Sequence, residues 1–294
     1  MDRDELLERF ASLNVWRRGG ERAPHKPLLL LWTLARIAQG GERMVSFAEV
    51  EDPLRGLLVE FGPPRKTHNP QLPFWHLQTD GVWEVAGIPE RDGQAVGNAP
   101  RVSELRSPEV SAGLTEEVDH MVRTDPDLLR DLARRLLDSS FPESLHDEIA
   151  GAVGLELTGR TRRIRDPRFR ERVLVAYGYS CAVCGYDLRL RHAPVALEAA
   201  HIKWHQAGGP STEENGLALC TMHHKLFDRG GVTLDPERRL VVSPWVNGST
   251  GFEEWVLRFD RQPIRQPRSP DHVPLEEFVR WHVLEVFKGA EATI

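Results

Sequence analysis

Apolar residues in the first 40 positions fall on helical spacing. Leu6, Leu7, Phe10, Leu13 and Trp16 recur three or four apart, which predicts an amphipathic helix over 1–18. "GGERAPH" interrupts it as a loop. Pro27 then opens a second helix running to Ile37, since a proline in the first turn loses no intrahelical hydrogen bond. Farther along, the pattern shortens. Trp75–Leu77 and Val82–Val85 read as strands, with "QTDG" between them as a hairpin turn. Residues 86–113, rich in Gly, Pro and Ser, read as loops, and helical spacing returns at 115–137 and 143–154. From 173 onward the texture is short strands and turns, closed by a last helix over 275–287. This mixture predicts an α+β chain without internal repeats. It divides into a mixed helical/β N-terminal domain over 1–150, a basic linker over 151–168 and a second domain over 169–294.

Composition narrows the picture. The chain has 294 residues, 40% hydrophobic and 28% charged, enough for two domains with cores of their own. No run of about 18 apolar residues exists, so no membrane span is expected. The apolar "PLLLLWTLARIA" at 27–38 is too short and too far from the start for a signal peptide. Three cysteines cannot build a disulfide framework, which points to a cytoplasmic protein. A net charge of −6 argues against a general nucleic-acid coat but leaves room for a local basic patch. "GRTRRIRDPRFRER", residues 159–172, is such a patch, with seven arginines. A charge run is usually a solvated helix face, but arginine is also the better fork for phosphate, so Arg160, Arg162, Arg163 and Arg165 are candidate contacts to a DNA backbone.

All three cysteines fall in one pattern: Cys181-x2-Cys184, then Cys220-x2-His223. Two such pairs offer four soft or borderline ligands, suited to tetrahedral zinc. Gly185 follows the second ligand, as a tight knuckle requires. Zinc would fasten the two segments and hold whatever lies between them.

What lies between is "LEAAHIKWHQAGGPSTEENGLALC". With the knuckles, "AAHI", "GG", "ENGLALC" and "HHKLFDRG" in that order, residues 181–235 resemble the HNH endonucleases, the ββα-metal nucleases. The resemblance implies that His201 is the general base, that Asn215 orients the active-site loop and that His224 binds a catalytic divalent cation, Mg²⁺ or Mn²⁺. His223 would face zinc and His224 the opposite side. The chemistry suits the residue types: neutral imidazole accepts a proton near pH 7, and a cation stabilises charge growing on a phosphate. Many relatives carry Asp or His just before the base. Here it is Ala200, so the cation has fewer protein ligands or borrows Glu198 or Asp228.

"RAPHKPLLLLW" (22–32) and "NPQLPFWHLQTDGVWEV" (69–85) resemble the sulfur-binding domain of restriction enzymes that attack phosphorothioated DNA. Taken alone, "LPFW" reads as core packing and "HKP" as a helix start. Carried over by position, Arg22, His25 and Lys26 would approach the DNA backbone and base edges, and Leu72, Pro73 and His76 would line a pocket for sulfur. Sulfur is larger and less strongly hydrated than oxygen. Burying about 40 Å² of it gives roughly 1 kcal/mol, and desolvation of a normal phosphate oxygen widens the gap. The two resemblances together imply a nuclease dependent on DNA modification, acting on phosphorothioated duplexes. A nuclease reading methylated or unmodified DNA and a non-catalytic zinc DNA-binding module remain the alternatives. The recognised bases, the cleavage distance, the preferred cation and the choice between a homodimer and successive nicks by a monomer are left open.

Overall fold

A computed structural model describes residues 1–14, 21, 23–88, 99–157 and 167–289. The chain forms two compact units, Met1–Thr158 and Gly159–Ile294.

The first unit begins with α1 (Arg3–Ala11), whose Asp2 cap accepts from the Glu5 amide, and α2 (His25–Ala38). Trp16 lies outside the described residues. Leu28, Leu29, Leu30, Leu31 and Leu34 of α2 are all buried, so this helix is wetted on little of its surface and forms the spine of the core. Strand β1 (Met44–Ser46) leads into α3 (Phe47–Phe61), which starts at a reciprocal Ser46/Glu49 capping box. The expected strand at Trp75–Leu77 is helical instead. Pro70 stands at the N-cap of α4 (Gln71–His76) and Pro73 lies in its first turn, where proline favours a helix. "QTD" continues as a 3₁₀ turn, ended by Gly81 in the left-handed region at φ 70°, so no hairpin forms there.

The next strand, β2 (Trp83–Ala86), pairs with β3 (Ser111–Leu114) across an intervening stretch that also holds a short α5 (Val102–Leu105). The sheet order is β1-β3-β2, all antiparallel. β3 had been expected as loop. It is the central strand with Ala112, Gly113 and Leu114 all buried, so it shows no alternation. The single helix expected over 115–137 is two, α6 (Glu116–Thr124) and α7 (Pro126–Ser140), because Asp125 caps the second and Pro126 cannot continue the first. Helix α8 (His146–Val153) completes the unit. The Trp83 indole donates to the Phe74 carbonyl at 2.9 Å, and Phe74 meets Phe47 edge-on, which fixes α4 against the sheet.

The second unit opens with α9 (Pro167–Ala176). After the cysteine knuckle come a small hairpin, β4 (Arg189–Leu190) with β5 (Ala193–Pro194), and then β6 (Leu197–His201) paired antiparallel with β7 (Gly216–Cys220). Helix α10 (Thr221–Asp228) follows β7 directly, giving a ββα unit. A second hairpin, β8 (Val232–Leu234) with β9 (Leu240–Val242), a short α11 (Phe252–Trp255) and α12 (Glu276–Glu285) pack around it. Among the described residues, no helix is long and apolar enough to cross a membrane.

Candidate functional site

The Cys/His cluster forms at the junction of three local structures. Gly185 adopts φ 76° and its amide donates to the Cys181 carbonyl at 2.9 Å, which turns the chain so that Cys181 and Cys184 face one point. Cys220 ends β7, and His223 lies in the first turn of α10. Cys184 Sγ is 4.0 Å from Cys220 Sγ, Cys181 Sγ is 3.8 Å from His223 Nδ1, and Cys220 Sγ is 3.2 Å from the same nitrogen. Tetrahedral zinc with Zn–S near 2.3 Å spaces its ligand atoms about 3.8 Å apart, so this donor set fits the ion. His223 Nε2 donates to the Trp255 carbonyl at 3.0 Å, which leaves Nδ1 to the cluster. Burial opposes charge on His223, but the thiols of Cys181 and Cys184 outweigh it and raise its pKa to about 9. Hydrogen bonds from Cys184 and Cys220 favour the Cys181 thiolate.

His224, one residue on, turns about 100° around α10 and meets a different set of groups. It is almost fully buried, with Nδ1 2.6 Å from Glu198 Oε2 and Nε2 3.1 Å from Asp228 Oδ2. Burial lowers its pKa, yet the carboxylates of Asp228 and Glu198 override this and raise it to about 9. Asp228 is itself buried, whereas the Glu198 side chain is nearly half exposed. Ala200, two residues beyond Glu198 on β6, is fully buried opposite Leu217.

His201 ends β6 opposite Gly216. Its ring stacks on Phe169 of α9, and its Nε2 lies 3.1 Å from Ser211 Oγ. Asn215 is fully buried. Its Oδ1 accepts from the Lys203 amide at 2.8 Å, and its Nδ2 donates to the carbonyls of Lys203 and Pro210 at 2.9 and 2.8 Å. One side chain thus ties both ends of the 203–210 loop. Phe169 and Ser211 are not legible as site features in the sequence, since neither a lone phenylalanine nor a serine in "GGPST" carries a distinguishing signal, whereas Asp228, expected as a candidate cation ligand, lies against His224 Nε2. Arg160, Arg162, Arg163 and Arg165 lie outside the described residues. Two later arginines of that run make internal contacts: Arg170 donates to the Leu197 carbonyl at 2.9 Å, and Arg172 to the Ser211 carbonyl at 2.6 Å.

In the first unit, the start of α2 packs on α4. Pro73 is buried, His25 and His76 are half-buried, and Leu72 is exposed. Burial, helped by the neighbouring His68 and Arg65, pushes His25 down to about 4, so it is neutral at pH 7. Burial and the nearby Lys26 also lower His76. Lys26 departs from expectation. Its ammonium is buried, 2.6 Å from both Asp80 Oδ2 and the Asn14 carbonyl. A cation satisfied on two sides in this way braces the unit. Arg22 lies outside the described residues. Among the described residues, the first turn of α2 carries no acid and no side-chain cap, and its positive dipole end favours an anion.

Residues 3–158 match the family model of the ScoMcrA-like DNA sulfur-binding domain, and residues 181–235 that of the HNH endonucleases. Among solved structures, the sulfur-binding domain of ScoMcrA complexed with phosphorothioated DNA is 24% identical at a TM-score of 0.43, covering 51% of this chain and 94% of that one. The corresponding SprMcrA domain, also complexed with phosphorothioated DNA, is 22% identical at 0.44, covering 53% and 95%. The Type IV phosphorothioation-dependent restriction endonuclease ScoMcrA is 23% identical at 0.40, and the match covers 51% of this chain and only 27% of that protein. No curated protein is significantly similar. With more than half of its length accounted for by that model, the chain belongs to the ScoMcrA-like DNA sulfur-binding domain family, and its second unit carries an HNH endonuclease domain.

Proposed function

We propose that this protein is a modification-dependent restriction endonuclease whose first unit recognises phosphorothioated duplex DNA and whose second hydrolyses phosphodiester bonds nearby. The observation that carries the proposal is the joining, in one chain, of a DNA sulfur-binding domain with an HNH domain. In this reading the protein is cytoplasmic, domain 1–150 reads DNA, 151–168 is a basic linker and 169–294 cuts.

His201 is the general base: its imidazole takes a proton from the attacking water. Asn215 holds the loop that leads away from His201, and its three backbone contacts suit that task. His224, with Glu198, holds the catalytic divalent cation, Mg²⁺ or Mn²⁺, and the buried Asp228 orients the His224 ring from its other nitrogen. Bound there, such a cation supplies charge stabilisation on the phosphate and leaving oxygen. Glu198 thereby does the work that Ala200 cannot; both lie on the same side of β6, two residues apart. Cys181, Cys184, Cys220 and His223 hold a structural zinc ion.

In the first unit, the exposed Leu72 presents apolar surface to sulfur with the buried Pro73 behind it, and the neutral His25 and the pKa-lowered His76 flank it. A His25 that stays neutral at pH 7 adds donor capacity without a charge that would favour the strongly hydrated oxygen. The start of α2 receives the phosphate, Arg22 reaches the backbone, and Arg160, Arg162, Arg163 and Arg165 add contacts that position the duplex but carry no sequence information. Lys26 keeps this surface in place through Asp80. Supercoiled plasmids with and without phosphorothioate, incubated with the protein and Mg²⁺ or Mn²⁺, test the proposal. Nicking or linearisation of the modified plasmid alone is expected. Equal cutting of both would transfer recognition to another feature, and cutting of neither would reduce the protein to a binding module.

A further inference from the structure

The segment between the cysteine knuckle and β6 serves neither centre. It forms the β4–β5 hairpin, with Arg189 opposite Pro194 and Leu190 opposite Ala193, closed by Arg191 and His192. Arg191 adopts φ 57°, the left-handed conformation that so short a turn requires. The Val195 amide donates to the Leu188 carbonyl at 3.0 Å and extends the pairing by one step. Side chains alternate across a strand, so Leu188, Leu190, Ala193 and Val195 share one face, and Arg189 and Pro194 the other. The Arg189 face is backed by protein. Its guanidinium lies over the Tyr179 ring, 5.0 Å from the centroid, and the Tyr179 hydroxyl donates to Glu171 on α9. The leucine face is open. Leu190 at 74% and Leu188 at 62% are the two most exposed large apolar side chains among the described residues, and Val195 beside them is 44% exposed.

An open apolar face on such a chain suits a second copy or duplex DNA, and area and charge decide between them. Leu188, Leu190 and Val195 together expose on the order of 350 Å², well short of the ~800 Å² that each partner of a stable protein interface buries. The tip is cationic. Arg191 makes no ion pair among the described residues, His192 is exposed beside it, and no acidic residue occurs from Leu188 to Leu197. In a chain of net charge −6 this is a local excess of positive charge. A two-stranded ribbon is narrow enough for the major groove, where apolar side chains meet thymine methyl groups while arginine reaches phosphate. The hairpin is also tied to the elements of the proposed cation site. The Ala196 carbonyl accepts from the Thr221 amide at 3.0 Å, at the start of α10. Val195 precedes Glu198 by three residues, about 10 Å along an extended chain. The hairpin therefore stands within one turn of duplex, about 34 Å, of a phosphate bound at Glu198 and His224.

We propose that the β4–β5 hairpin grips the duplex beside the scissile bond, with Arg191 and His192 on phosphate and Leu188 and Leu190 against the groove. The proposal rests on the reading of the second unit as a nuclease acting on duplex DNA. The full chain is tested by anisotropy titration of phosphorothioated and unmodified duplexes over a range of salt without Mg²⁺, and by cutting with Mg²⁺; zinc content is measured for each variant. Arg191→Ala is expected to weaken binding of both duplexes by the same factor, about fivefold, and to lower the slope of log K against log salt by about one. Leu190→Asp should weaken both by about tenfold or more, since it sets a carboxylate against phosphate. Preference for the sulfur duplex should be unchanged in either variant, because sulfur is read by the first unit. A benzophenone photocrosslinker at position 190 should attach to DNA within about ten base pairs of the cut, one helical turn. Crosslinking to a second protein chain instead would make this face a contact between copies and overturn the proposal. Wild-type affinity and salt slope in both variants, with no DNA crosslink, would overturn it as well. Should Leu190→Asp lose zinc, Arg191→Ala and the crosslink decide the matter. A wild-type protein that cuts neither duplex would overturn the nuclease reading, and the salt slope and crosslink would still judge the hairpin.

Discussion

The nuclease unit gathers its two candidate centres from one short segment, whereas the DNA-reading surface proposed for the first unit draws on residues scattered over more than fifty positions. Between Cys181 and His224 a knuckle, one β-ladder and the first turn of α10 bring every proposed zinc ligand together, and a further turn adds Asp228. In the first unit, His25 and Lys26 open α2, His76 closes α4, and Asp80, Arg65 and His68 arrive from loops. A local site of this kind depends on a few strong bonds. A dispersed one depends on the packing of a whole domain, and single changes there should act more weakly.

Removing the zinc should have the largest effect. Cys184→Ser, or a strong chelator, is expected to unfold the second unit while the first stays folded, since the free energy of binding structural zinc is folding free energy. Two separate calorimetric transitions, with only one moved, would support the contrast. A protein that purifies without zinc and keeps both transitions would break it. Next comes His201→Ala, which should slow cutting by at least about 100-fold, the usual share of a general base, with phosphorothioate affinity measured by titration unchanged. Glu198→Gln should weaken cation binding about 10-fold or more, read by isothermal titration with Mn²⁺; unchanged affinity would free Glu198 of that role.

In the first unit the effects should appear as pH dependence of stability and as lost discrimination. His25 has a folded pKa near 4, below its ordinary value of 6.5. Between those values the unfolded chain binds the proton and the folded chain does not, so stability is lost as pH falls from about 6.5 to 4, by up to roughly 3 kcal/mol. His25→Gln should flatten that dependence in urea melts of the first unit's transition. The smallest effect is Pro73→Asn, expected to erode discrimination between sulfur and oxygen duplexes by about 1 kcal/mol, near fivefold in relative Kd. That discrimination should survive added salt, although total affinity falls as phosphate contacts are screened. Discrimination unchanged in the Asn variant would place the sulfur elsewhere on the unit.

Chemistry that depends on spacing along the chain was legible without a structure. Cys-x2-Cys and Cys-x2-His define a cluster because a knuckle and a helix turn can bring ligands three apart onto one point, and all three cysteines were used. Adjacent His223 and His224 had to serve different sides because neighbours on a helix diverge by about 100°. The α+β character and the long apolar α2 followed from periodicity. Tertiary structure decided the rest. β3 was hidden because a central strand buried on both faces has no alternation to read. Trp75–Leu77 became helical because Pro70 and Pro73 favour a first turn more strongly than aromatic residues favour a strand there. Lys26 turned inward because Asp80, 54 residues away, offered a buried carboxylate. Phe169 reaches His201 because Gly216 leaves a gap for α9. Lys26 and Asp80, and His201 and Phe169, lie far apart in sequence, and contact between distant residues leaves no periodic trace in a single chain.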